Sequence, residues 1–348
     1  MVTPLKNLLS GCSLPVKRLL AKEKTEGSIP FTRSFFMGQK LKLLIDTDIG
    51  GEVEDAMALT LVVASGEAEV VGVTTVTGDT NFRAHVAKKI LSLLGRKEVP
   101  VIPGIGNPKT MRGWEYNAFL DENEKIEVKS QITASDFIIE SLSRNPKETT
   151  LVGIGPLTNI AKALDKDPSI VNKVKRLVLM GGIIKPPIFK GKQIPRGFEY
   201  NFCNDSFSAE KVLKAGFPLE LLPGDITFHQ RDPWPPEELV KLKRINHPAV
   251  KLLMRVNDIW MVEMRKNVDK AKLPLNFVQP WINDTLLMVY LLKPEFFETK
   301  EKVFKWQLPD KYPRFVESNN GIRMKVITKA NYRATRKFVL KTFQKLSS

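Results

Sequence analysis

Cysteine is nearly absent from this chain, with only Cys12 and Cys203 in 348 residues. Two cysteines so far apart build no disulfide framework and offer no zinc-type spacing, so a reducing compartment is expected and a cytoplasmic location is favoured. No apolar run approaches the roughly 20 residues that a membrane-spanning helix needs. Internal repeats and low-complexity segments are also missing, which sets aside solenoids and fibrous arrays. The body of the chain even lacks net charge, although the whole carries +16. Residues 1–42 hold eight Lys/Arg against two acids and residues 300–348 hold thirteen against three, so residues 43–299 are neutral overall. Basic ends on a neutral body argue against a nucleic-acid groove built into the fold.

What is present is ordinary for a globular protein: 43% hydrophobic and 26% charged residues, in a chain long enough to bury a sizeable core. Residues 1–40 stand apart. They lack aspartate and intersperse Lys6, Lys17, Arg18, Lys22 and Arg33 with Ser and Thr. That composition suits a disordered extension or an organellar targeting peptide. The apolar run before Cys12 is too short for a lipoprotein signal, and Met37 is an alternative start.

From residue 41 onward, short apolar runs alternate with helical patterns. KLLIDTD (42–48), AEVVGVTTV (68–76), VPVIPG (99–104), TTLVGIG (149–155), VKRLVLMGG (174–182) and LELLPGD (219–225) read as strands. AMALTLVVAS (56–65), FRAHVAKKILSLLG (82–95) and PLTNIAKAL (156–164) read as helices, with Gly95 as a C-terminal cap. Strands apolar on both faces, alternating with helices, predict an α/β fold: one doubly wound, mostly parallel sheet flanked by helices. After residue 230 the pattern turns helical at 235–244, 247–266 and 284–292, and the tail adds two strands at 302–308 and 321–327 as a small β element. Residues 41–348 are expected to form one domain. The loops at 103–132 and 183–203 are long enough to be functional candidates.

The densest chemistry lies at LLIDTDIGGEVEDAMAL (43–59), where Asp46, Asp48, Glu52, Glu54 and Asp55 follow an apolar strand. Ligands in open parallel sheets bind beyond the carboxyl ends of strands. Gly50 and Gly51 allow the tight turn that brings the acids together. Several carboxylates held together repel unless they share protons or a cation, and a hard divalent ion with oxygen ligands resolves that repulsion. A plainer explanation makes Asp55 a helix N-terminal acid and leaves Glu52 and Glu54 in solvent. It does not account for Asp46 and Asp48 at the end of a buried strand.

This stretch resembles the acidic fingerprint of the inosine–uridine-preferring nucleoside hydrolases, D-x-D-x-G-x-D-D-A, with two extra residues after the glycine. Further matches follow in order: VVGVTTVTGD (70–79), GIGPLTNIAKAL (153–164), LVLMGG (177–182), FEYNFCND (198–205), GDITFH (224–229) and WINDTLLMVYLL (281–292). The resemblance implies calcium-dependent hydrolysis of the N-glycosidic bond of ribonucleosides, giving ribose and free base in purine or pyrimidine salvage. It implies one Ca²⁺ held by Asp48, Asp55, Asp284 and the backbone carbonyl of Ile154. Asp48 is then also general base toward a metal-bound water, Asp46 supports the loop, and Glu54, Asp79, Glu199, Asn201 and Asp284 hold the ribose. Tyr200, Trp114, Trp260 and Trp281 are candidates to contact the base. A homodimer or homotetramer is the family's usual assembly.

Three departures from the pattern bear on the chemistry. Glu54 replaces the first aspartate of the paired acids, and Asp79 stands where many members carry asparagine. Asn283 occupies the position of the histidine that protonates the leaving base in the best-known members, and an amide is no general acid near neutral pH. His85, His229 and His247 offer no obvious substitute. These departures motivate a second reading, a nucleoside-binding relative with impaired turnover. A haloacid-dehalogenase-type phosphatase is a weaker alternative, since Gly50 falls where that family expects Thr or Val. GIGPLT (153–158) lacks the third glycine of a dinucleotide site. The basic C-terminal segment 331–346 offers a nucleic-acid-binding role as a further option, and its plainer explanation is an amphipathic helix packed on the body through Phe338 and Phe343 with its lysines in solvent.

Overall fold

The computed structural model describes residues 40–347, apart from residues 112, 127, 190, 230, 231, 268–277, 310 and 311. The expected extension over residues 1–40 therefore lies outside the described residues, Lys40 excepted. Among the described residues no helix is long and apolar enough to cross a membrane.

The strands are β1 (Leu41–Thr47), β2 (Ala68–Thr75), β3 (Val101–Pro103), β4 (Thr149–Gly153), β5 (Arg176–Met180), a short β6–β7 hairpin (Ile188–Phe189 and Lys192–Gln193), β8 (Leu219–Leu222), β9 (Phe297–Gln307), β10 (Arg314–Glu317) and β11 (Ile322–Ala330). Nine of them form one sheet in the order β10-β9-β11-β8-β5-β4-β1-β2-β3. From β3 to β11 every pairing is parallel, and β9 and β10 add antiparallel strands at one edge. The strand order turns around at β1: β2 and β3 lie on one side, β4 and the rest on the other. The crevice beyond the carboxyl ends of β1 and β4 is thus the topological switch point, where such sheets bind ligands.

The apolar strands are buried on both faces, as their composition requires. Leu43 and Ile45 of β1 enter one core, while Leu44 between them enters the other. The first core is closed by α1 (Glu54–Ser65), α2 (Thr80–Leu93) and three helices from the second half of the chain: α8 (Pro248–Asn267), α9 (Asn283–Leu292) and α10 (Tyr332–Gln344). The second is closed by α4 (Ala134–Arg144), α5 (Thr158–Lys166) and α7 (Ser206–Lys214). Two shorter helices, α3 (Trp114–Phe119) and α6 (Tyr200–Asn204), sit in the two long loops. Helix α9 is buried at every residue from Asn283 to Leu292, as an all-round apolar sequence demands. Each of its large apolar side chains contributes about 2 kcal/mol by leaving water, so its position against α1 is firmly held.

The tail differs from the sequence expectation. Its strands are longer than read, a third strand (β10) joins them, and all three extend the main sheet. Only Phe315 of β10 points inward, so this short polar edge strand carries no alternation to detect. Helix α4 was also unforeseen, though Thr133 caps it and Ile138 and Leu142 mark its buried face. As expected, α10 packs Phe343 into the core and Phe338 against Phe296. Gly95 follows α2 at φ +71°, and the Arg96 N–H returns to the Leu91 carbonyl, closing that helix.

Candidate active site

The site begins where β1 ends. Asp46 is fully buried opposite Gly153 of β4 and Thr74 of β2. Its Oδ1 accepts from the Thr74 hydroxyl at 2.6 Å and from Asn159 Nδ2 at 2.8 Å. Asn159 also donates to the Thr75 carbonyl and accepts from the Ile105 N–H, tying β1, β2, α5 and the loop after β3 together. Burial pushes the Asp46 carboxyl up to about 7, against the opposing pull of the Asn159 and Thr74 hydrogen bonds. The next residue, Thr47, accepts the Ile49 N–H and donates to Asp55 Oδ1 at 2.5 Å, which folds the Gly50–Gly51 turn back onto α1. Gly50 takes φ +99°, a conformation glycine adopts without strain. Beside the turn, a Cβ on Gly155 would stand 2.9 Å from Asp48 N and 3.2 Å from Asp48 Oδ1. The glycine after Ile154 therefore lets the end of β4 approach Asp48. Ile154 itself is buried and donates its N–H to the Asp46 carbonyl.

Two helices aim their first turns at this point. Glu54 and Asp55 open α1, and Asn283 and Asp284 open α9. Helix N-termini favour negative charge, so both dipoles support acids here. Glu54, Asp55 and Asp284 are buried. Burial raises all three carboxyls well above the usual range, and their mutual repulsion adds to it. Asp284 feels Asp55, Asp48 and Glu52; Asp55 feels Asp48; Glu54 feels Glu52 and Asp284. Asp48 is also raised by desolvation, with Arg83 opposing. Asp284 Oδ1 is buried without a hydrogen-bond partner. The plainer explanation, with Glu54 in solvent, fails.

Arg83 is the cation facing this group and was not anticipated from the sequence. It is buried, donating from Nε to the Thr77 carbonyl at 2.8 Å and from Nη1 to the Ile49 carbonyl at 3.0 Å. Arg83 opposes the rise of Asp48 and Asp55, while the charges that act on Asp284 and Glu54 are those of other acids, which leaves a surplus of negative charge in a desolvated place. All these side-chain donors are hard oxygens, and the orphaned Asp284 oxygen lies among them. The set therefore fits a hard divalent cation. Among the described residues, no three His, Cys, Asp or Glu side chains form a ready-made cage for an ion.

The remaining expected residues divide. Glu199 is buried at the start of α6, where it accepts the N–H groups of Asn201 at 2.7 Å and Phe202 at 3.1 Å. Burial raises it to about 7, the hydrogen bonds from Gly182, Phe202 and Asn201 oppose this, and the charge of Asp48 reaches it. Asn201 donates to the Met180 carbonyl at the end of β5. Glu199 thus borders the carboxylates while also capping its own loop, and Asn201 ties that loop to the end of β5. Asp79 caps α2 through the N–H groups of Asn81 and Phe82, and its Oδ2 accepts the Tyr116 hydroxyl at 2.9 Å. Tyr116, from the loop at 103–132, is a second neighbour that sequence reading missed; burial and then Asp79 hold its hydroxyl up to about 12. Tyr200 stays outside the buried set, with half its surface in solvent (50%).

Asn283 binds Glu54: its Nδ2 donates to Glu54 Oε1 at 3.1 Å, and its Oδ1 has no partner. Thr285 donates to the Glu54 carbonyl, so α9 and α1 are joined twice. Asp232, a third missed residue, is fully buried and accepts the Ile282 N–H just before α9. Trp260 and Trp281 are buried in a separate aromatic cluster with Phe189 and Phe228, and Trp114 packs against it. Trp281 lies 5.3 Å from Phe189 between ring centres and meets Phe228 edge-on at 6.3 Å. The histidines are engaged elsewhere: His85 with Glu124, His229 stacked on Tyr332, and His247 at the start of α8, accepting the Ala249 N–H.

A strand-end aspartate pair, two acidic helix starts and a Glu–Asn loop on one parallel sheet can be compared with known proteins. The profile of the inosine-uridine preferring nucleoside hydrolases matches residues 43–336. The chain belongs to this family. It is 36% identical over 204 residues to an uncharacterized protein of Schizosaccharomyces pombe, a match covering 55% of this chain and 63% of that protein. A probable uridine nucleosidase from Oryza sativa subsp. japonica is 26% identical over 279 residues, covering 76% of this chain and 80% of its own. Among solved structures, a plant nucleoside hydrolase shares the fold with a TM-score of 0.74 at 21% identity, over 87% of this chain and 98% of its own. Membership places the chain among the N-glycosyl hydrolases.

Proposed function

We propose that the protein hydrolyses the N-glycosidic bond of ribonucleosides to ribose and free base, with Ca²⁺ as its cation. The observation that carries this reading is the meeting of two helix starts at the end of β1, where the buried Asp55 feels Asp48, and Asp284 feels both, around an unpartnered oxygen. Asp48, Asp55, Asp284 and the Ile154 carbonyl would hold the ion. When bound, it supplies positive charge that orients vicinal ribose hydroxyls and makes a neighbouring water more acidic.

The chain's own groups do the rest. Asp48 is the least enclosed of the central carboxylates and takes the proton of the attacking water on a carboxylate oxygen. Asp284 accepts from a ribose hydroxyl through its second oxygen. Glu54, Glu199 and Asn201 border the sugar, and the carboxylates stabilise the positive charge that builds on the ribose as the bond to nitrogen stretches. Asp46, held by Thr74 and Asn159, keeps the β1 end rigid beneath them.

The test is release of ribose from inosine, uridine, adenosine and cytidine, with calcium and with chelator, by the wild type and by Asp48→Ala. Calcium-dependent release that disappears in the variant supports the reading. A second reading, a binding relative without turnover, is favoured by one feature: the Asn283 amide is already committed to Glu54. Nucleoside binding by calorimetry with no release would establish it instead.

A further inference from the structure

Thr77 holds a conformation that its side chain resists. It is β-branched and stands at φ +56°, with Gly78 after it at φ +60°. A left-handed β-branched residue is strained, and such strain persists only where the surroundings fix it. Here three contacts do so. The Thr77 N–H donates to the Ile105 carbonyl at 2.8 Å, in the loop after β3. Its hydroxyl accepts Asn204 Nδ2 of α6 at 3.1 Å, and its carbonyl accepts Arg83 Nε at 2.8 Å. Arg83 reaches back to Thr77 because helical side chains lean toward the helix N-terminus. Its main-chain N–H bonds the Asp79 carbonyl at 3.0 Å, and its Nη1 crosses to the Ile49 carbonyl at 3.0 Å, 34 residues earlier. Gly78 makes room for it: a Cβ there would stand 3.2 Å from both Nε and Nη2. Although the charge of Arg83 reaches Asp48 and Asp55, both side-chain hydrogen bonds go to main-chain carbonyls. The guanidinium thus ties two turns together without drawing on the acids' oxygens.

We propose that Arg83 is a positioning residue that sets the turn at 48–51 against the turn at 77–79. This rests on the hydrolase reading above, in which Asp48 belongs to the ion and the water, and on the family pattern, which assigns Asp79 to the ribose. The task needs a fork. A planar guanidinium presents Nε and Nη1 in a fixed relation, so the two carbonyls that accept them are fixed as well; an ammonium is a point charge and imposes no such relation. Misplacing reacting groups by about 1 Å can cost about 10²-fold in rate, so loss of the clamp is felt in catalysis. Ion binding depends on it less. Thr47 still holds Asp55, and Asp284 arrives on α9.

The test compares the full-length wild type with Arg83→Lys and Arg83→Gln by ribose release from inosine, uridine, adenosine and cytidine in calcium, by calorimetric calcium titration and by thermal melts. Both variants should lose about 10²-fold in kcat and equally in kcat/KM, with KM held near the wild-type value. Arg83→Gln should bind calcium at least as tightly as the wild type, because a positive charge near the acids is gone. Thr77→Gly keeps the inference testable if an arginine variant unfolds. Glycine takes φ +56° without strain but samples other conformations freely, so kcat should fall while the fold and calcium binding are kept. Wild-type kcat in Arg83→Lys would mean that charge alone matters and would overturn the inference. So would wild-type kcat in Thr77→Gly, loss of calcium binding in Arg83→Gln, or activity that falls only with the folded fraction. Each of these outcomes leaves the hydrolase reading standing. Release from none of the four nucleosides by the wild type would remove that reading itself, and this inference with it.

Discussion

The sheet buries carboxylates in two places and treats them in opposite ways. Glu220, in the middle of β8, is met by Arg176 at 3.1 Å, Lys325 at 3.1 Å and the Tyr290 hydroxyl at 2.6 Å. Burial would raise its pKa, but these three partners outweigh it and the carboxyl ends lowered. At the end of β1, Arg83 faces Asp48 and Asp55, while Asp55, Asp284 and Glu54 feel neighbouring acids, and all four carboxyls are raised. Helix α9 takes part in both, with Tyr290 satisfying Glu220 and Asp284 left with an orphaned oxygen. This fold can neutralise a buried acid and does so where the acid serves structure. Where it leaves charge in surplus, the surplus is available to a ligand.

Substitutions can break this contrast, and the largest effect belongs on the functional side. Asp48→Ala should lower ribose release by about 10³-fold, within the range for loss of a general base, while calcium-free thermal stability holds or rises because repulsion is relieved. On the structural side the pattern inverts. Glu220→Ala strands Arg176 and Lys325 and should cost about 3 kcal/mol in denaturant unfolding, with activity per folded molecule kept. A loss of activity without loss of stability in that variant would erase the distinction.

Ligand and pH sharpen it further. Calcium at a hundredfold excess over its Kd should stabilise the wild type by about 2.7 kcal/mol, a gain that Asp55→Asn should lose in the same melting experiment. Asp46 and Glu199 have folded pKa values raised to about 7 from 3.8 and 4.5, so the native state binds more protons than the unfolded chain in that interval. Calcium-free stability should therefore fall as pH rises from about 4 to about 7. Glu220 has the opposite sign: its contribution is present above its unfolded value and is lost as pH falls through its lowered one. Calcium-free melts across pH, with and without Glu220→Gln, separate the two slopes. The smallest effect is expected at an exposed pair, where Lys211→Ala breaks a contact with Asp165 and should cost less than about 0.5 kcal/mol.

The sequence made these two kinds of acid unequally visible. Asp46 and Asp48 stand out because charge at the end of an apolar strand has no structural excuse. Glu220 is the lone acid in LELL and draws no attention, because its partners come from β5, β11 and α9, far away in the chain. Asp284 was reached only by resemblance, since nothing local links residue 284 to residue 55. Arg83 reads as an ordinary helix cation until the fold puts it under the Ile49 carbonyl. Tyr116, Asn159 and Asp232 likewise acquire roles only through tertiary contacts. The parallel core was legible because burial on both faces leaves a composition signal; β10 and α3, small and half-exposed, left none.

The most direct test of the central claim is a calorimetric titration of calcium into the metal-free protein at pH 7, repeated in buffers of different ionisation enthalpy. Raised carboxyls must lose protons to bind a cation, so the account predicts one ion per chain with net proton release, both abolished in Asp284→Asn. Absence of binding, or binding that Asp284→Asn leaves intact, would contradict it.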